Sequence, residues 1–424
     1  MPKLRYAAGQ MALSARASRF DVYFESSFSG FAGTSSGSHV KLRILINAFS
    51  ARQGGGQTYL INLLQHRPAG SGIEIFLLTP SSLKLPDGIQ EITRLQANFP
   101  VENPFLRALW EKFWLPVLLR RLKVDVFFCP GGTVGAKAPA GCKTVTMFRN
   151  MLPFDLKQRK KYPLGYDRFR NWVLSKTLLR SMLNADLVIF ISYYAEAVLK
   201  ELACGALKRT EVIYHGINPN FRIELGKELL CPSWLPEEGY LLYVSTLDVY
   251  KAQIEVIQAY AILKNKRPTA EKLLLVGFEN AWYGKRVREE IIRLGLENDV
   301  IVVGSIPYDQ LPAVYQHAAI NIYASETENC PNILLEALAA GRPIVSSNRQ
   351  PMPEFGGDAV VYFDPSSPLE LAEAIISVFD DPVRREQLSL NAYERSQLYD
   401  WQRSAQLTWN AIENLVAEDD LVLT

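Results

Sequence analysis

The sequence lacks several features that mark particular classes of protein. No run of about 18 apolar residues occurs in its 424 residues, so we expect no helix that spans a membrane. The four histidines have no metal-ligand spacing, and the five cysteines are scattered, odd in number and without a Cys-x-x-Cys pair. A zinc site and a disulfide framework are therefore not expected, and a reducing cytoplasm is the predicted compartment.

A global excess of charge of one sign is also absent. Lys and Arg number 46 and Asp and Glu number 44, which gives a formal net charge of +2. Such a balance carries no signal for nucleic acid, and we expect no nucleic-acid partner. Apolar residues make up 48% and charged residues 21% of the chain, the composition of a globular protein with room for two domains.

The first forty residues differ in composition from the rest. They include FSGFAGTSSGSH, which is rich in glycine and serine, and they lack the sustained apolar core of a secretory signal. Export is therefore not expected. We predict that residues 1–40 are a disordered extension; a transit peptide and a start codon assigned too early are the alternatives.

Strand-like and helix-like segments alternate from residue 41 onwards. Apolar runs such as KLRILINAF, IEIFLLT and VDVFFCP predict buried parallel strands, and the segments between them predict helices. The expected fold is α/β, with two Rossmann-like doubly wound domains facing a cleft. We place an acceptor-binding domain at 41–220, a nucleotide-sugar-binding domain at 221–395, and a C-terminal helix at 396–424 that packs back towards the first domain.

A glycine turn follows the first predicted strand. Gly54, Gly55 and Gly56 precede a helical pattern that begins at Thr58. A strand, a glycine loop and a helix in this order place backbone N–H groups and the positive end of a helix beside an anion or a sugar hydroxyl. A turn with no ligand has the same pattern, so both interpretations stay open here.

The most informative stretch is ASETENCPNILLEALAAGRPIVSSNRQPMPEFGGDAVVYFDP, residues 324–365. A predicted strand leads into a loop that carries Glu328, and Pro331 suits the first turn of the helix that follows. The unpaired N–H groups at the start of this helix predict a diphosphate site. Glu336 follows Glu328 with seven residues between them, so one carboxylate can meet a sugar while the other accepts the hydroxyls of a ribose.

This stretch resembles the retaining GT-B glycosyltransferases of the group 1 (family 4) type. The two glutamates carry the resemblance together with EALAAGRPIV and PEFGGDAVVYFDP, and YLLYVSTLDVYK, LLLVG, LVIFIS and VIYHGIN support it elsewhere. The resemblance implies transfer of a sugar, with retention, from a nucleotide-sugar donor to a carbohydrate or lipid-linked acceptor in surface polysaccharide biosynthesis. The donor is then a substrate, and no cofactor or metal is implied.

The resemblance also implies roles for individual residues. Glu328 would lie beside the transferred sugar, Lys251 would neutralise the leaving diphosphate, and these two are the predicted catalytic residues. Glu336 would bind the ribose of the nucleotide. The predicted donor-binding residues are Glu336, Cys330, Pro331, Asn332, Ile333, Thr246, Gly277 and Gly304.

The sequence departs from the family pattern in both halves. Thr246 stands where a strand-end arginine is expected, so Lys251 would act alone or with another cation such as Arg349. In the first half, Arg149 and Asn150 replace the usual His-Asp pair. The predicted acceptor-side or cleft residues are Gly54, Gly55, Gly56, Arg149, Asn150 and His215.

Other interpretations stay open at this point. A nucleotide-sugar 2-epimerase would use the same fold, and a non-catalytic sugar-binding protein would explain the departure at Thr246. A NAD-dependent oxidoreductase is suggested by the glycine turn alone, which lacks the full Gly-x-Gly-x-x-Gly pattern.

One segment is strongly basic. Residues 101–180 contain sixteen Lys or Arg against five Asp or Glu, a local net charge of +11. A solvated helix face would explain this excess. The alternative is that the first domain associates peripherally with an anionic membrane, where a lipid-linked acceptor would be found. The aromatic residues Phe105, Trp110, Phe113 and Trp114 of this segment are expected to pack in the core.

Overall fold

In the computed structural model, the described residues are 22–25, 42–52, 54–68, 72–86, 88–89, 92–97, 99–224, 226–268 and 270–422. The strands are β1 (Val22–Glu25), β2 (Leu42–Asn47), β3 (Ile73–Leu78), β4 (Ile92–Ala97), β5 (Val126–Cys129), β6 (Lys143–Phe148), β7 (Leu187–Phe190), β8 (Thr210–Val212), β9 (Tyr240–Val244), β10 (Lys272–Val276), β11 (Val300–Gly304), β12 (Ile320–Tyr323), β13 (Ile344–Ser347) and β14 (Val361–Phe363).

Helices alternate with these strands along the chain. They are α1 (Gly55–Gln65), α2 (Pro104–Phe113), α3 (Leu115–Arg121), α4 (Leu156–Lys161), α5 (Tyr166–Asn184), α6 (Tyr193–Leu202), α7 (Gln253–Lys266), α8 (Ala281–Arg293), α9 (Leu311–Gln316), α10 (Asn332–Ala339), α11 (Met352–Gly356), α12 (Pro368–Phe379), α13 (Pro382–Ser396) and α14 (Trp401–Val422).

The strands form two sheets, of eight and six strands, that share the order of six parallel strands. The first has the order β1-β4-β3-β2-β5-β6-β7-β8, in which β1 is antiparallel to β4 and the other pairs are parallel. The second, β11-β10-β9-β12-β13-β14, is parallel throughout. The strand order reverses between β2 and β5 and between β9 and β12, and ligands bind in the crevice beyond such a reversal. The predicted fold of two Rossmann-like domains is confirmed.

The central strands are continuous apolar runs because helices cover both faces of each sheet. Every residue of β5, β7 and β9 is buried. Burying one large apolar side chain of this kind contributes roughly 1.5–3 kcal/mol. Strand β4 was not predicted, since its sequence ITRLQA has only Leu95 fully buried and so lacks the apolar run.

Strand β1 lies inside the predicted disordered extension. It pairs antiparallel with β4, with Val22 opposite Ala97. The sequence VYFE is rich in residues that favour strands, and β4 offers it an otherwise unpaired edge. The prediction of disorder therefore does not hold for these four residues, while residues 1–21 and 26–40 lie outside the described residues.

The last helix belongs spatially to the first domain. Helix α14 packs along α1, the indole N–H of Trp409 donates to Leu63 O at 3.0 Å, and Tyr59 and Thr408 share a hydrogen bond of 3.4 Å. The chain crosses between the domains just before this helix, where Gly216 approaches the backbone of Trp401 so closely that a β-carbon would lie 2.2 Å from its nitrogen.

The two domains also touch beside the crevice. The Glu354 carboxylate, at the start of α11, accepts the backbone N–H groups of Tyr193 at 2.8 Å and Tyr194 at 3.0 Å. These amides open helix α6 of the first domain, so a carboxylate of one domain occupies the positive helix end of the other. Asn329 makes a second bridge, donating to Phe148 O at 3.1 Å and accepting from the Ser192 hydroxyl at 3.2 Å.

We expect Glu354→Ala to loosen the docking of the two domains. The substitution leaves two helix N–H groups without their carboxylate, and losing a helix cap costs about 0.5–2 kcal/mol. Small-angle scattering should give a larger radius of gyration, and urea titration should give a lower free energy of unfolding. The control is Glu373→Ala, which removes an exposed ion pair with Lys266 that is worth less than about 1 kcal/mol. Equal behaviour of the two variants would contradict the prediction.

Candidate active site

The loop after β12 and the start of α10 form the centre of the candidate site. Pro331 occupies the N-cap position of α10, and no side chain caps the first N–H groups. The first turn contains no acidic residue. The backbone N–H groups that follow Asn332 and Ile333 therefore form a positive helix end without a compensating negative charge. This arrangement binds anionic oxygens.

Lys251 and Glu328 form an ion pair beside this helix start. The Lys251 ammonium donates to Glu328 Oε1, which also accepts hydrogen bonds from the Tyr323 hydroxyl at 2.8 Å and the Ser325 hydroxyl at 2.7 Å. The lysine is only 5% exposed. Burial is the largest single influence on the pKa of Lys251 and would lower it, but the Glu328 carboxylate together with Tyr250 and Tyr243 raises it above its usual value.

Backbone geometry fixes the position of this lysine. Lys251 ends a short 3-10 turn directly after β9, and its carbonyl oxygen accepts a hydrogen bond of 2.6 Å from the Tyr243 hydroxyl. The sequence analysis assigned Lys251 to the diphosphate and Glu328 to the sugar. The structure brings the two side chains into direct contact, a pairing across 77 positions that no local pattern could indicate.

Glu336 lies on α10, one turn beyond the helix start. Its two oxygens accept hydrogen bonds from the Tyr308 hydroxyl at 2.9 Å and the Tyr315 hydroxyl at 3.3 Å. Burial raises the pKa of Glu336 to about 7, against the lowering effect of the two tyrosines. Sequence reasoning missed both tyrosines, because Tyr308 lies in a 3-10 turn directly before α9 and Tyr315 lies within α9, so no single helical period links them.

The predicted strand-end residues meet at the edge of the second sheet. The Gly277 N–H donates to Gly304 O at 2.8 Å, and a β-carbon on Gly277 would lie 2.1 Å from Ser245 O. Only glycine permits this approach, because it has no β-carbon. The φ of +148° at Gly277 is a second reason, since it disfavours other residues. Thr246 is exposed, and its carbonyl accepts from the Gln253 amide at 3.0 Å.

Arg149 lies between the two domains. Its guanidinium packs over the ring of Tyr59, with 5.5 Å between Cζ and the ring centroid, and stands against Gly55 and Gly56 at the start of α1. The helix starts at Gly55 rather than at the predicted Thr58, and Gly54 takes a positive φ of 62° as its N-cap. The last two glycines are thus the first helical residues instead of a free turn.

The other two predicted cleft residues are engaged within the protein. The exposed Asn150 accepts the N–H of Leu152 at 3.2 Å and so stabilises a local turn. His215 is buried between the rings of Tyr59 and Trp401, and its Nδ1 lies 3.4 Å from Asn332 Oδ1. Burial, reinforced by the nearby charge of Arg149, lowers the pKa of His215 to about 3, so this imidazole is neutral at physiological pH.

Cys330 is also buried, next to Asn332, and its thiol donates to Asn332 Oδ1 at 3.4 Å. Burial raises the pKa of this thiol well above its usual value, so it does not act as a thiolate. Among the residues that the structure describes, no group of three or more His, Cys, Asp or Glu could hold a metal ion.

Comparison with known proteins matches each domain to a family model. The model for Glycosyltransferase Family 4 matches residues 53–221, and that for Glycosyl transferases group 1 matches residues 233–395. The chain belongs to the group 1, family 4 glycosyltransferases. The resemblance recognised in the sequence is therefore confirmed, and neither an epimerase nor an oxidoreductase is favoured.

Individual relatives are distant. The O-antigen chain mannosyltransferase B of Escherichia coli is 28% identical over 178 residues, which are 42% of this chain and 46% of that protein. A D-inositol 3-phosphate glycosyltransferase of Paenarthrobacter aurescens is 22% identical over 185 residues, 43% of this chain and 45% of that protein. The chain spans about half the length of the curated relatives it matches.

Solved structures share the fold over most of the chain. Sucrose-phosphate synthase from Thermosynechococcus elongatus superposes with a TM-score of 0.69 at 20% sequence identity. The match covers 89% of this chain and 100% of the chain of that structure. Anabaena HepE in complex with UDP-glucose has a TM-score of 0.64 at 19% identity, covering 88% of this chain and 100% of its own. These likenesses establish a GT-B fold.

The titration of Glu336 gives a testable pH dependence. Its folded pKa of about 7 exceeds the ordinary value of 4.5, so the folded chain binds this proton more tightly than the unfolded chain. The stabilising contribution is complete below pH 4.5 and is lost as the pH rises through 7. At about 1.4 kcal/mol per pKa unit, the loss is at most about 3.5 kcal/mol.

The measurement compares the free energies of unfolding of wild type and Glu336→Gln between pH 5 and 8.5. Wild type should lose stability relative to the variant as the pH rises. The matched control, Glu373→Gln on the exposed face of α12, should give a difference that does not change across this range. A flat difference for Glu336→Gln as well would refute the assignment of a raised pKa.

Proposed function

We propose that this chain transfers a sugar, with retention of configuration, from a nucleotide-sugar donor to a carbohydrate or lipid-linked acceptor. The observation that carries the proposal is the buried Lys251–Glu328 pair beside the uncapped start of α10. A cation, a carboxylate and free helix amides together match the charges that develop when a sugar leaves a diphosphate.

The donor-side roles follow from this geometry. The diphosphate lies on the segment formed by Cys330, Pro331, Asn332 and Ile333, where the helix end is positive. Pro331 has no N–H and the Asn332 N–H donates to Cys330 O at 2.9 Å, so the free backbone donors begin at Ile333. The ribose hydroxyls donate to Glu336, replacing one or both tyrosine hydroxyls. The nucleotide base lies over the edge formed by Thr246, Gly277 and Gly304, where the space beside Gly304 is open.

Charge development sets the roles of the catalytic pair. Cleavage of the bond to the anomeric carbon makes the sugar positive and the departing diphosphate more negative. Glu328 stabilises the first charge and Lys251 the second. We assign no covalent intermediate to Glu328, and we propose attack by the acceptor on the same face.

The names of similar proteins support a nucleotide-sugar donor and a polysaccharide setting. One solved relative binds UDP-glucose, and another relative is an O-antigen mannosyltransferase. We propose that the acceptor is a growing surface polysaccharide and that the protein acts in the cytoplasm. The acceptor side is formed by the glycines at the start of α1 together with the exposed Asn150, while the buried His215 supports this region from within.

We expect Glu328→Gln to lower kcat by about 10²–10³-fold, since removing one group that stabilises transition-state charge has this cost. A thermal-shift panel of UDP, GDP, ADP and their sugars first identifies the donor, because a ligand that binds the folded state raises Tm. Turnover is then measured with that donor. The control is Glu373→Gln, which should retain full activity; unchanged kcat in Glu328→Gln and Glu336→Gln alike would end the assignment.

The proposed mechanism assigns the positive charge at the leaving group to Lys251 and the helix amides, so no metal takes part. We expect turnover in excess EDTA to equal turnover with added Mg²⁺ or Mn²⁺. Loss of activity on chelation, with recovery on adding the metal back, would contradict this assignment.

We further propose that the first domain associates peripherally with an anionic membrane. Among the described helices, none is long and apolar enough to cross a membrane. An exposed apolar stripe nevertheless runs along α2 and α3 at four-residue intervals, and Phe105 at its end is 81% exposed. Phe105 and Phe113 were predicted to be core residues, and that was wrong, whereas Trp110 is fully buried as expected. The stripe consists of Phe105, Leu109, Phe113 and Val117.

Exposed basic residues accompany this stripe. Lys112, Arg120 and Arg121 lie on α2 and α3 and are exposed, as are Lys157 and Lys160 on α4. An apolar face flanked by cations is typical of helices that lie in the interface of an anionic bilayer. Exposed lysines fit a solvated helix face and a membrane contact equally well. A solvated face alone does not account for the apolar stripe.

We expect the protein to sediment with phosphatidylglycerol-containing vesicles at low salt and to be released at high salt. The double substitution Phe105→Ser and Phe113→Ser should reduce the bound fraction at least several-fold. Leu369→Ser, which alters an exposed apolar residue of α12, is the matched control and should bind like wild type. Equal partition of wild type into pure phosphatidylcholine vesicles would rule out the electrostatic part of the proposal.

A further inference from the structure

Arg149 carries a charge that the described residues do not balance. Its guanidinium is half-buried between the domains and makes no ion pair or hydrogen bond with any residue that the structure describes. Its nearest polarisable partner is the ring of Tyr59. An arginine in such a position normally has a carboxylate or phosphate partner, because desolvating an unpaired cation is costly.

The surroundings of Arg149 add positive charge. A β-carbon on Gly55 would lie 3.4 Å from an Arg149 nitrogen and 3.1 Å from Asn332 Nδ2, so α1, α10 and the arginine meet at one point. Neither helix has a side-chain cap or an acidic residue in its first turn. Two positive helix ends and a guanidinium therefore converge without a counter-charge.

The cations that the sequence analysis named for the diphosphate are already engaged. Lys251 pairs with Glu328, and Arg349 pairs with Asp364 at 2.8 Å and 3.0 Å. Thr246 supplies no charge at the strand end. The second domain thus presents little free positive charge to a diphosphate, while the first domain presents Arg149 to the same point.

We propose that Arg149 binds an oxyanion of the donor, the diphosphate in the first instance, and so supplies from the first domain the cation that Thr246 does not supply from the second. This inference rests on the proposed function and replaces the acceptor-side role predicted for Arg149. The planar guanidinium can hold two phosphate oxygens at once, which an ammonium cannot. A carboxylate on the transferred sugar is the other source of the same chemistry.

Calorimetric titration of UDP, GDP, ADP and pyrophosphate into wild type, Arg149→Gln and Arg149→Lys tests the proposal. Arg149→Gln should raise the Kd of the preferred nucleoside diphosphate at least 10-fold, with Arg149→Lys between the two. The control is Arg384→Gln, an exposed arginine of α13, which should bind like wild type. The unliganded Arg149→Gln protein should melt no lower than wild type, because it loses an unpaired charge, and this separates a binding defect from misfolding.

A second arm separates the two sources of the oxyanion. If the sugar provides the oxyanion, Arg149→Gln leaves the Kd of the nucleoside diphosphate and the Kd of the neutral nucleotide sugar unchanged. The same substitution then raises the Kd of a nucleotide-linked uronic acid. If wild type binds a nucleoside diphosphate and Arg149→Gln binds every ligand with the same Kd as wild type, the inference is overturned and the proposed function stands. Failure of wild type to bind any of these ligands overturns both.

Discussion

The site depends on one consequence of parallel sheets: every connecting helix begins at the carboxyl edge, with its first N–H groups unpaired. In this chain two such helix starts, α1 from the first domain and α10 from the second, face each other across the crevice without side-chain caps. The converging helix ends create a positive potential before any side chain is considered. The cations and carboxylates around them then determine how much of that potential remains for a ligand.

The Lys251–Glu328 pair keeps two opposite charges ready without leaving either exposed. A buried lysine without a partner would be driven to lose its proton, and a buried carboxylate to gain one. Here Glu328 favours the protonated form of Lys251, and Tyr323 and Ser325 complete the hydrogen bonds to the carboxylate. In the proposed mechanism the two charges take different roles only when a donor is bound. Glu328 then faces the developing cation of the sugar, and Lys251 faces the diphosphate. Arg149 differs because it has no ion-pair or hydrogen-bond partner among the described residues, and its guanidinium packs only over the ring of Tyr59 until an anion binds.

The sequence predicted the fold better than the contacts within the candidate site. Continuous apolar runs define central strands, so β5, β7 and β9 were predictable, whereas β4 lacks such a run and β1 depends on a neighbouring edge. Lys251 and Glu328 were identified individually, but their contact joins two loops that only the sheet order brings together. Phe105 and Phe113 were misassigned to the core, because helical spacing shows that a face is apolar without showing what covers it.

The loop after β12 links chemistry to the approach of the domains. Glu328 belongs to the proposed catalytic pair, and the next residue, Asn329, bridges to Phe148 O and to the Ser192 hydroxyl of the first domain. Phe148 immediately precedes Arg149, so the backbone oxygen that holds the loop and the guanidinium that faces α10 belong to neighbouring residues. The first domain therefore positions Arg149 and the loop of Glu328 through neighbouring residues. A donor whose oxyanion contacts both domains would stabilise this arrangement, since a ligand stabilises the state in which it makes more interactions.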